Sequence, residues 1–384
     1  MKKKKKVLVM GLTSINNYGD NFITDCVNYL VSKHSDIDCE QATLEPKMSL
    51  VTKVPYYFLL CLSKIVPKGK LADQLVYQAV KVRCKRNYRK LLDGKSALIY
   101  GTGSFKYGTQ KIWAYYCLGI EVAHGMGIPV MFNAMNVQSY NENDWKCQML
   151  TKHANYSNVK SITSRDGQAG VDKLRNDYGI REQIVCKGVG DAAFWIPECY
   201  GVAKRPEADV LGINLIYGDI FIRYGGTISE EELCSLYCGI LKKLDAEHIK
   251  WELFTNGLDA DYRFGGKLLA LYGDPERVIR HPGSTTELLE IISSYKVVFG
   301  ARLHACICSY ALQIPVVGFY WDEKLVHFAH MAGIEDCFLR ENELSIDRVI
   351  RLLEEIYHNG YQLDAANFAY WKDQTKIWLD SFLE

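Results

Sequence analysis

Short β-branched runs recur along the chain, each followed by a glycine-bearing loop and then by apolar positions at helical spacing. VLVMG at 7–11 leads through NNYGD at 16–20 into a helical pattern over 22–32. ALIY at 97–100 leads through GTGS at 101–104 toward the aromatic-rich stretch 113–125, which PVMF at 129–132 follows directly. SITS at 161–164 precedes Arg165, Asp166 and a helical pattern over 169–178, and IVC at 184–186 leads to GVGD at 188–191. Strands alternating with helices in this way predict parallel βαβ units.

The pattern restarts after Pro206. VLGINL at 210–215 predicts a new strand, 229–244 a capped helix and 249–254 the next strand. STTE at 284–287 is a capping-box sequence opening a helix through Tyr295. Strands are expected at 278–280, 296–300 and 315–319, the last of the chain, with a helix over 304–312 and helices again from Ser345 onward. The reading is an α/β chain with two Rossmann-like domains, 1–206 and 207–344, facing each other across a cleft. Helices over 345–384 are expected to pack back on the N-terminal domain. Ligands of open α/β sheets sit at the carboxyl ends of the strands, so the loops there are where chemistry is sought.

Composition refines this picture only slightly. At 384 residues, 48% hydrophobic and 24% charged, the chain is long enough for two ordinary cores. A net charge of +1 supplies no field for nucleic acid, which is not an expected partner, and charge recognition has to be local. Thirteen cysteines without a CxxC pair or a signal peptide predict reduced, mostly buried thiols, with Cys306 and Cys308 in an apolar helical stretch. The lysine run at 2–6 precedes an apolar run too short for a secretory core. No segment reaches the roughly 18 apolar residues of a membrane-spanning helix. The nearest, 54–66, is broken by Lys64, bounded by Pro55 and Pro67, and open to reading as an amphipathic surface segment. A cytoplasmic protein is expected, with at most peripheral contact at the inner face of a membrane.

Candidate chemistry concentrates in the strand-end loops. Arg302 and His304 occupy the turn between the 296–300 strand and the next helix. The free N–H groups and positive dipole end of a first helical turn make an anion site, to which a guanidinium adds a planar fork for carboxylate or phosphate. His304 beside it is a candidate general acid or base. In the 16–20 loop, Gly19 permits close backbone approach and Asn17 can bond hydroxyls or phosphate. Asp20 either joins that site or caps the following helix. Gly101, Gly103 and Ser104 form a third such loop. Arg165 is expected to project toward the cleft while Asp166 caps the next helix, and Asp191 can orient a histidine or an arginine or simply close a turn. Lys324 reads as a phosphate ligand or a solvated lysine, and His281 stands near the capped helix. Aromatic clusters at 113–116 and 319–321 suit either sugar stacking or core. His327 and His330 have no acidic third ligand nearby. No HExxH pattern, P-loop or dinucleotide fingerprint occurs, so neither a metal nor a nucleotide cofactor is expected.

Taken in order, NYGD at 17–20, GTGS at 101–104, SRD at 164–166, GDAAF at 190–194, GARLHA at 300–305, IPVVGF at 314–319 and DEK at 322–324 resemble the polysaccharide pyruvyltransferase family. One departure is Thr102, where the family usually carries a third glycine in a run. The resemblance implies a GT-B-like pair of Rossmann domains. It also implies transfer of pyruvate from phosphoenolpyruvate to a sugar diol as a ketal, with release of phosphate, in cell-surface polysaccharide biosynthesis such as exopolysaccharide or capsule. No cofactor beyond the donor substrate is implied. Arg302 and Arg165 would hold the donor's carboxylate and phosphate in either assignment, Lys324 would help, and His304 would move the proton, making His304 and Arg302 the catalytic pair. The expected partners are phosphoenolpyruvate and a saccharide acceptor, polymeric or lipid-linked, with galactose, mannose and N-acetylmannosamine all fitting. Two alternatives stand beside this reading. One is a nucleotide-sugar glycosyltransferase on the same fold, for which Glu287 is the nearest acid to hold a ribose. The other is a non-catalytic saccharide- or anion-binding relative.

Overall fold

The computed structural model of the chain describes residues 4–13, 18–108, 111–361 and 363–384. It divides into two compact units. Met1–Ser14, Ile23–Ala192 and Asp373–Glu384 form the first, and Ile15–Phe22 with Ala193–Lys372 form the second. The main passage between them falls after Ala192, ahead of the 206–207 boundary expected from the sequence, and the chain's last residues belong with the first unit.

The first unit is built on seven parallel strands: β1 (Lys5–Gly11), β2 (Ile37–Thr43), β3 (Ala97–Tyr100), β4 (Ser104–Phe105), β5 (Val130–Val137), β6 (Val159–Ser164) and β7 (Val185–Gly188). Their order is β2-β1-β3-β5-β6-β7, with β4 pairing onto β5. Parallel strands covered on both faces need apolar side chains in both directions. The strands β1 from Val7 to Met10 and β3 throughout comply, every residue being buried. Edge strand β2, IDCEQAT, buries only Ile37, which is why no hydrophobic run announces it. Among the helices of this half of the chain are α1 (Tyr18–Ser32), α2 (Leu50–Ile65) and α3 (Lys70–Leu92). α3 buries Val80, Cys84, Tyr88 and Leu92 at four-residue spacing, and these join Leu8, Leu98 and Tyr100 in the core.

The middle strand β5 runs past the expected 129–132 and breaks register with β6 between Phe132 and Met135. At the break Ala134 has φ 51°, held there by Thr163 Oγ1, which accepts its N–H at 2.8 Å. Such a bulge re-aims the strand beyond it. Here it brings Asn136 opposite Ser104, so Ser104 is a strand residue and not part of a loop.

The second unit carries six parallel strands: β8 (Val210–Asn214), β9 (Trp251–Phe254), β10 (Ile279–Arg280), β11 (Tyr295–Gly300), β12 (Val316–Phe319) and β13 (Phe338–Leu339), in the order β10-β9-β8-β11-β12-β13. The strand β13 lies beyond the one expected to be last. The core gathers Leu211, Ile213, Val297, Phe299 and Val317 with Leu233, Tyr237 and Leu241 of the helix Glu230–Ala246, which opens on a full capping box at Ser229.

Each sheet starts in its middle, builds to one side, then returns to build the other. The reversal falls between β1 and β3 in the first sheet and between β8 and β11 in the second. Loops at the carboxyl ends of such a pair part in opposite directions and leave the crevice where open α/β sheets receive ligands. Among the described residues, all thirteen cysteines are free, nine of them buried, and no helix is long and apolar enough to cross a membrane.

Candidate functional site

In the second unit, Arg302 follows β11 at the reversal point. Its backbone N–H donates to Asn214 Oδ1 at the end of β8, 2.9 Å away, tying the two central strand ends together. Asn214, fully buried, also donates through Nδ2 to Asn256 Oδ1 at 2.9 Å. The Arg302 guanidinium is gripped on one edge: Nε donates to Asp261 Oδ2 at 2.9 Å and Nη2 to Oδ1 at 2.5 Å. Asp261, in the first turn of the helix Asp259–Tyr272, is fully buried and also accepts the Tyr217 N–H at 3.0 Å. Burial pushes its carboxyl up from the ordinary aspartate value, while the Arg302 charge pulls it back. The fork anticipated as open to an anion is thus half committed, and the Nη1 edge is what remains for a ligand.

Arg302 is also the N-cap of the helix Leu303–Ala311, yet its side chain makes no cap bond, which leaves the first-turn N–H groups to other partners. His304 lies in that turn. Gly19 packs directly on its ring: a Cβ at Gly19 would sit 2.1 Å from Nδ1 and 2.4 Å from Cγ. Residues 18–20, expected in a loop, are the opening turn of α1, so Asp20 is inside the helix and not its cap. Asn17 lies outside the described residues.

The loop after β12 joins the same end of the sheet, with Trp321 Nε1 donating to the Ala301 carbonyl at 2.7 Å. Lys324 Nζ pairs with Asp322 Oδ2 at 3.0 Å, and Asp322 caps the helix Glu323–Ala332 by accepting the Lys324 N–H. His281 stands after β10, its Nδ1 2.7 Å from Thr255 Oγ1 and its Nε2 3.7 Å from Asp259 Oδ1. Arg302 and His304 are therefore brought together on one turn, with Lys324 on a neighbouring loop and His281 toward the sheet edge.

The first unit assembles a second cluster. Arg165, after β6, forms an ion pair through Nη1 with Asp191, and both side chains are almost wholly buried. Gly103 lies against that guanidinium: a Cβ there would meet both terminal nitrogens at 3.2 Å. Gly101 accepts Thr24 Oγ1 at 2.8 Å. Thr102 turns inward and bonds the Tyr116 hydroxyl, which in turn donates to the Ser104 carbonyl at 2.9 Å. The residue that departs from a triple-glycine loop therefore serves as a core tether. Asp166 occupies the N-cap position of the helix Gly167–Asp172 but does not cap it. Its carboxylate instead accepts Asn136 Nδ2 at 3.0 Å and the Val137 N–H at 2.7 Å, fastening the bulged end of β5.

Sequence reasoning passed over Asn214, Asp261 and Asn136. Asn214 carried a signal, a polar residue inside an apolar strand run. Asp261 looked like any acid opening a helix. Among the described residues, no three His, Cys, Asp or Glu side chains gather as a metal site.

Against known proteins, a family model described as polysaccharide pyruvyl transferase matches residues 17–323. No curated protein matches the sequence. Solved structures match the whole fold at low identity. A putative UDP-N-acetylglucosamine 2-epimerase from Listeria monocytogenes superposes with a TM-score of 0.64 at 10% identity, covering 99% of this chain and 96% of that one. The UDP-GlcNAc 2-epimerase of Neisseria meningitidis bound to UDP-GlcNAc gives 0.60 at 10%, covering 99% of each. UGT71G1 of Medicago truncatula complexed with UDP-glucose gives 0.53 at 11%, covering 99% and 98%. The chain thus shares the GT-B class of two parallel-sheet domains.

Proposed function

The chain belongs to the polysaccharide pyruvyl transferase family, and from that membership we propose that it moves pyruvate from phosphoenolpyruvate onto a sugar diol as a ketal, releasing phosphate. The observation that carries this reading is the turn after β11, where a half-committed guanidinium, an imidazole and a helix N-terminus share three residues. Phosphoenolpyruvate carries a carboxylate and a phosphate, and both are held by forks and backbone N–H groups without a metal.

Arg302 offers its Nη1 edge and the first-turn N–H groups to one anionic group, with Lys324 as a second cation. Arg165, oriented by Asp191, is an anion ligand of the first unit. His304 donates a proton to the methylene carbon, which makes C2 electrophilic. The first sugar hydroxyl adds at C2, and its proton passes to the bridging oxygen of the departing phosphate. The C2–O bond to phosphate then breaks with its electron pair leaving on phosphate. The second hydroxyl closes the ketal, and its proton restores the imidazolium. The acceptor is a saccharide of a cell-surface polysaccharide or its lipid-linked precursor.

Phosphate release from phosphoenolpyruvate is the test, run against galactosides, mannosides and N-acetylmannosaminides with His304→Gln as the control. Release that needs both acceptor and His304 is expected. The fold likeness to UDP-sugar proteins supports a second reading, nucleotide-sugar transfer. On that reading Glu287, whose Oε2 already accepts the Gly283 N–H at 2.7 Å, would hold the ribose. Binding of a UDP-sugar, with no phosphate released from phosphoenolpyruvate on any acceptor, would select it.

A further inference from the structure

Surface helices ordinarily turn their apolar stripe inward, and α2 does the reverse. Leu50, Val51, Val54, Phe58, Cys61 and Ile65 fall within an arc of about 100° at 100° per residue, and all are exposed: Leu50 85%, Val51 86%, Val54 78%, Phe58 61% and Ile65 77%. The inward side is fixed by Tyr56, whose buried hydroxyl accepts from Lys111 Nζ at 2.8 Å and from Arg83 Nη1 at 3.4 Å. The helix is therefore anchored with its apolar face outward on a contiguous exposed strip, the kind of patch that marks an interaction surface.

Charge selects the occupant. Residues 46–72 contain five lysines, Lys47, Lys53, Lys64, Lys68 and Lys70, all exposed, and not one acidic residue. A second copy meeting this face through a two-fold axis would set those lysines against themselves. An apolar stripe bordered by lysines is instead the composition of helices that lie in the plane of a bilayer, apolar side chains roughly 5–10 Å deep and ammonium groups among anionic headgroups. We infer that α2 is an interfacial helix seating this chain on an anionic lipid bilayer. This inference is independent of the transfer chemistry proposed above.

The full chain should sediment with phosphatidylcholine vesicles containing phosphatidylglycerol and about tenfold less with phosphatidylcholine alone. The triple variant Leu50→Ser, Val54→Ser, Phe58→Ser should lose binding by about tenfold or more while melting at the wild-type temperature, because its three side chains touch little in the fold. Lys53→Gln with Lys64→Gln and Lys68→Gln should abolish the preference for phosphatidylglycerol and its sensitivity to salt. Wild-type protein left in the supernatant with anionic vesicles overturns the inference, as does a triple variant that still binds. A wild-type dimer in light scattering that the triple variant converts to monomer also overturns it and assigns the face to a second copy.

Discussion

Gly19→Ala puts one methyl group against the ring of His304, and its consequences can be worked through. The new Cβ would sit 2.1 Å from Nδ1, where ordinary contact begins at 3.4 Å, so the ring has to yield by about 1.3 Å. Overpacking of this size costs about 1–3 kcal/mol. Replacing glycine by alanine inside a helix returns up to about 1 kcal/mol, and Gly19 is the second residue of α1. The net is roughly 0–3 kcal/mol, at most about 10 °C of melting temperature for a unit of this size. Turnover is far more sensitive, since displacing a reacting group by about 1 Å costs on the order of 10²-fold. Steady-state phosphate release and thermal melting, measured on the same preparation, should therefore separate: activity down about 10²-fold, fold intact. The same substitution in a His304→Ala background has room for its methyl and should cost nothing further. Unchanged turnover in Gly19→Ala would refute both the contact and the role of His304.

His304→Gln should lower phosphate release by about 10²–10⁴-fold with unchanged melting, the range expected for loss of a general acid, and wild-type rates would remove the imidazole from the mechanism. Asp191→Ala leaves the buried Arg165 without its carboxylate and should cost about 3–5 kcal/mol in urea unfolding, part of which Arg165→Met in the same chain restores; a loss below about 1 kcal/mol would mean that the pair is effectively solvated. Burial raises the Asp261 carboxyl in the folded chain, so the fold holds that proton more tightly than the open chain does. That stabilisation is complete below the ordinary aspartate range and is lost as pH rises through the folded value. Wild type should therefore lose stability relative to Asp261→Asn on going from about pH 4 to 7, and a constant difference would show an unperturbed carboxyl.

The strands that chain pattern revealed were those buried on both faces. VLVM, ALIY and VVFG are continuous apolar runs because helices cover both sides of a parallel sheet. The strand β2 escaped notice because an edge strand needs only one apolar residue in seven, and the far end of β5 did so because a bulge at Ala134 replaces the run with NAMNV. The helix α3 was not read from the sequence, because lysines and arginines surround its buried positions. For the candidate site, local pattern pointed to Arg302, His304 and Arg165 because all three lie shortly after a strand end. Their partners Asp261 and Asn214 lie 41 and 88 residues away from Arg302. Only the strand order, which sets β8 beside β11 and β9 beside β8, identifies them.

On the function proposed above, a chain with a net charge of +1 would have to select its anionic donor locally. Arg302 and Arg165 each arrive with a carboxylate of their own unit, so neither contributes much free charge to its surroundings. A lone guanidinium at a strand end would attract any anion and would cost several kcal/mol to bury. Paired with a buried aspartate, it is held planar and fixed in direction, and its remaining edge binds by shape. On that reading the N-terminus of the helix Leu303–Ala311 would add a favourable potential that cannot be titrated and falls off within a turn. Discrimination would then rest on matching the spacing between fork edge and first-turn N–H groups, which would favour a compact molecule with two anionic groups over a diffuse polyanion. Asp261 and Asp191 would, on the same reading, orient the two guanidinium groups without touching a ligand.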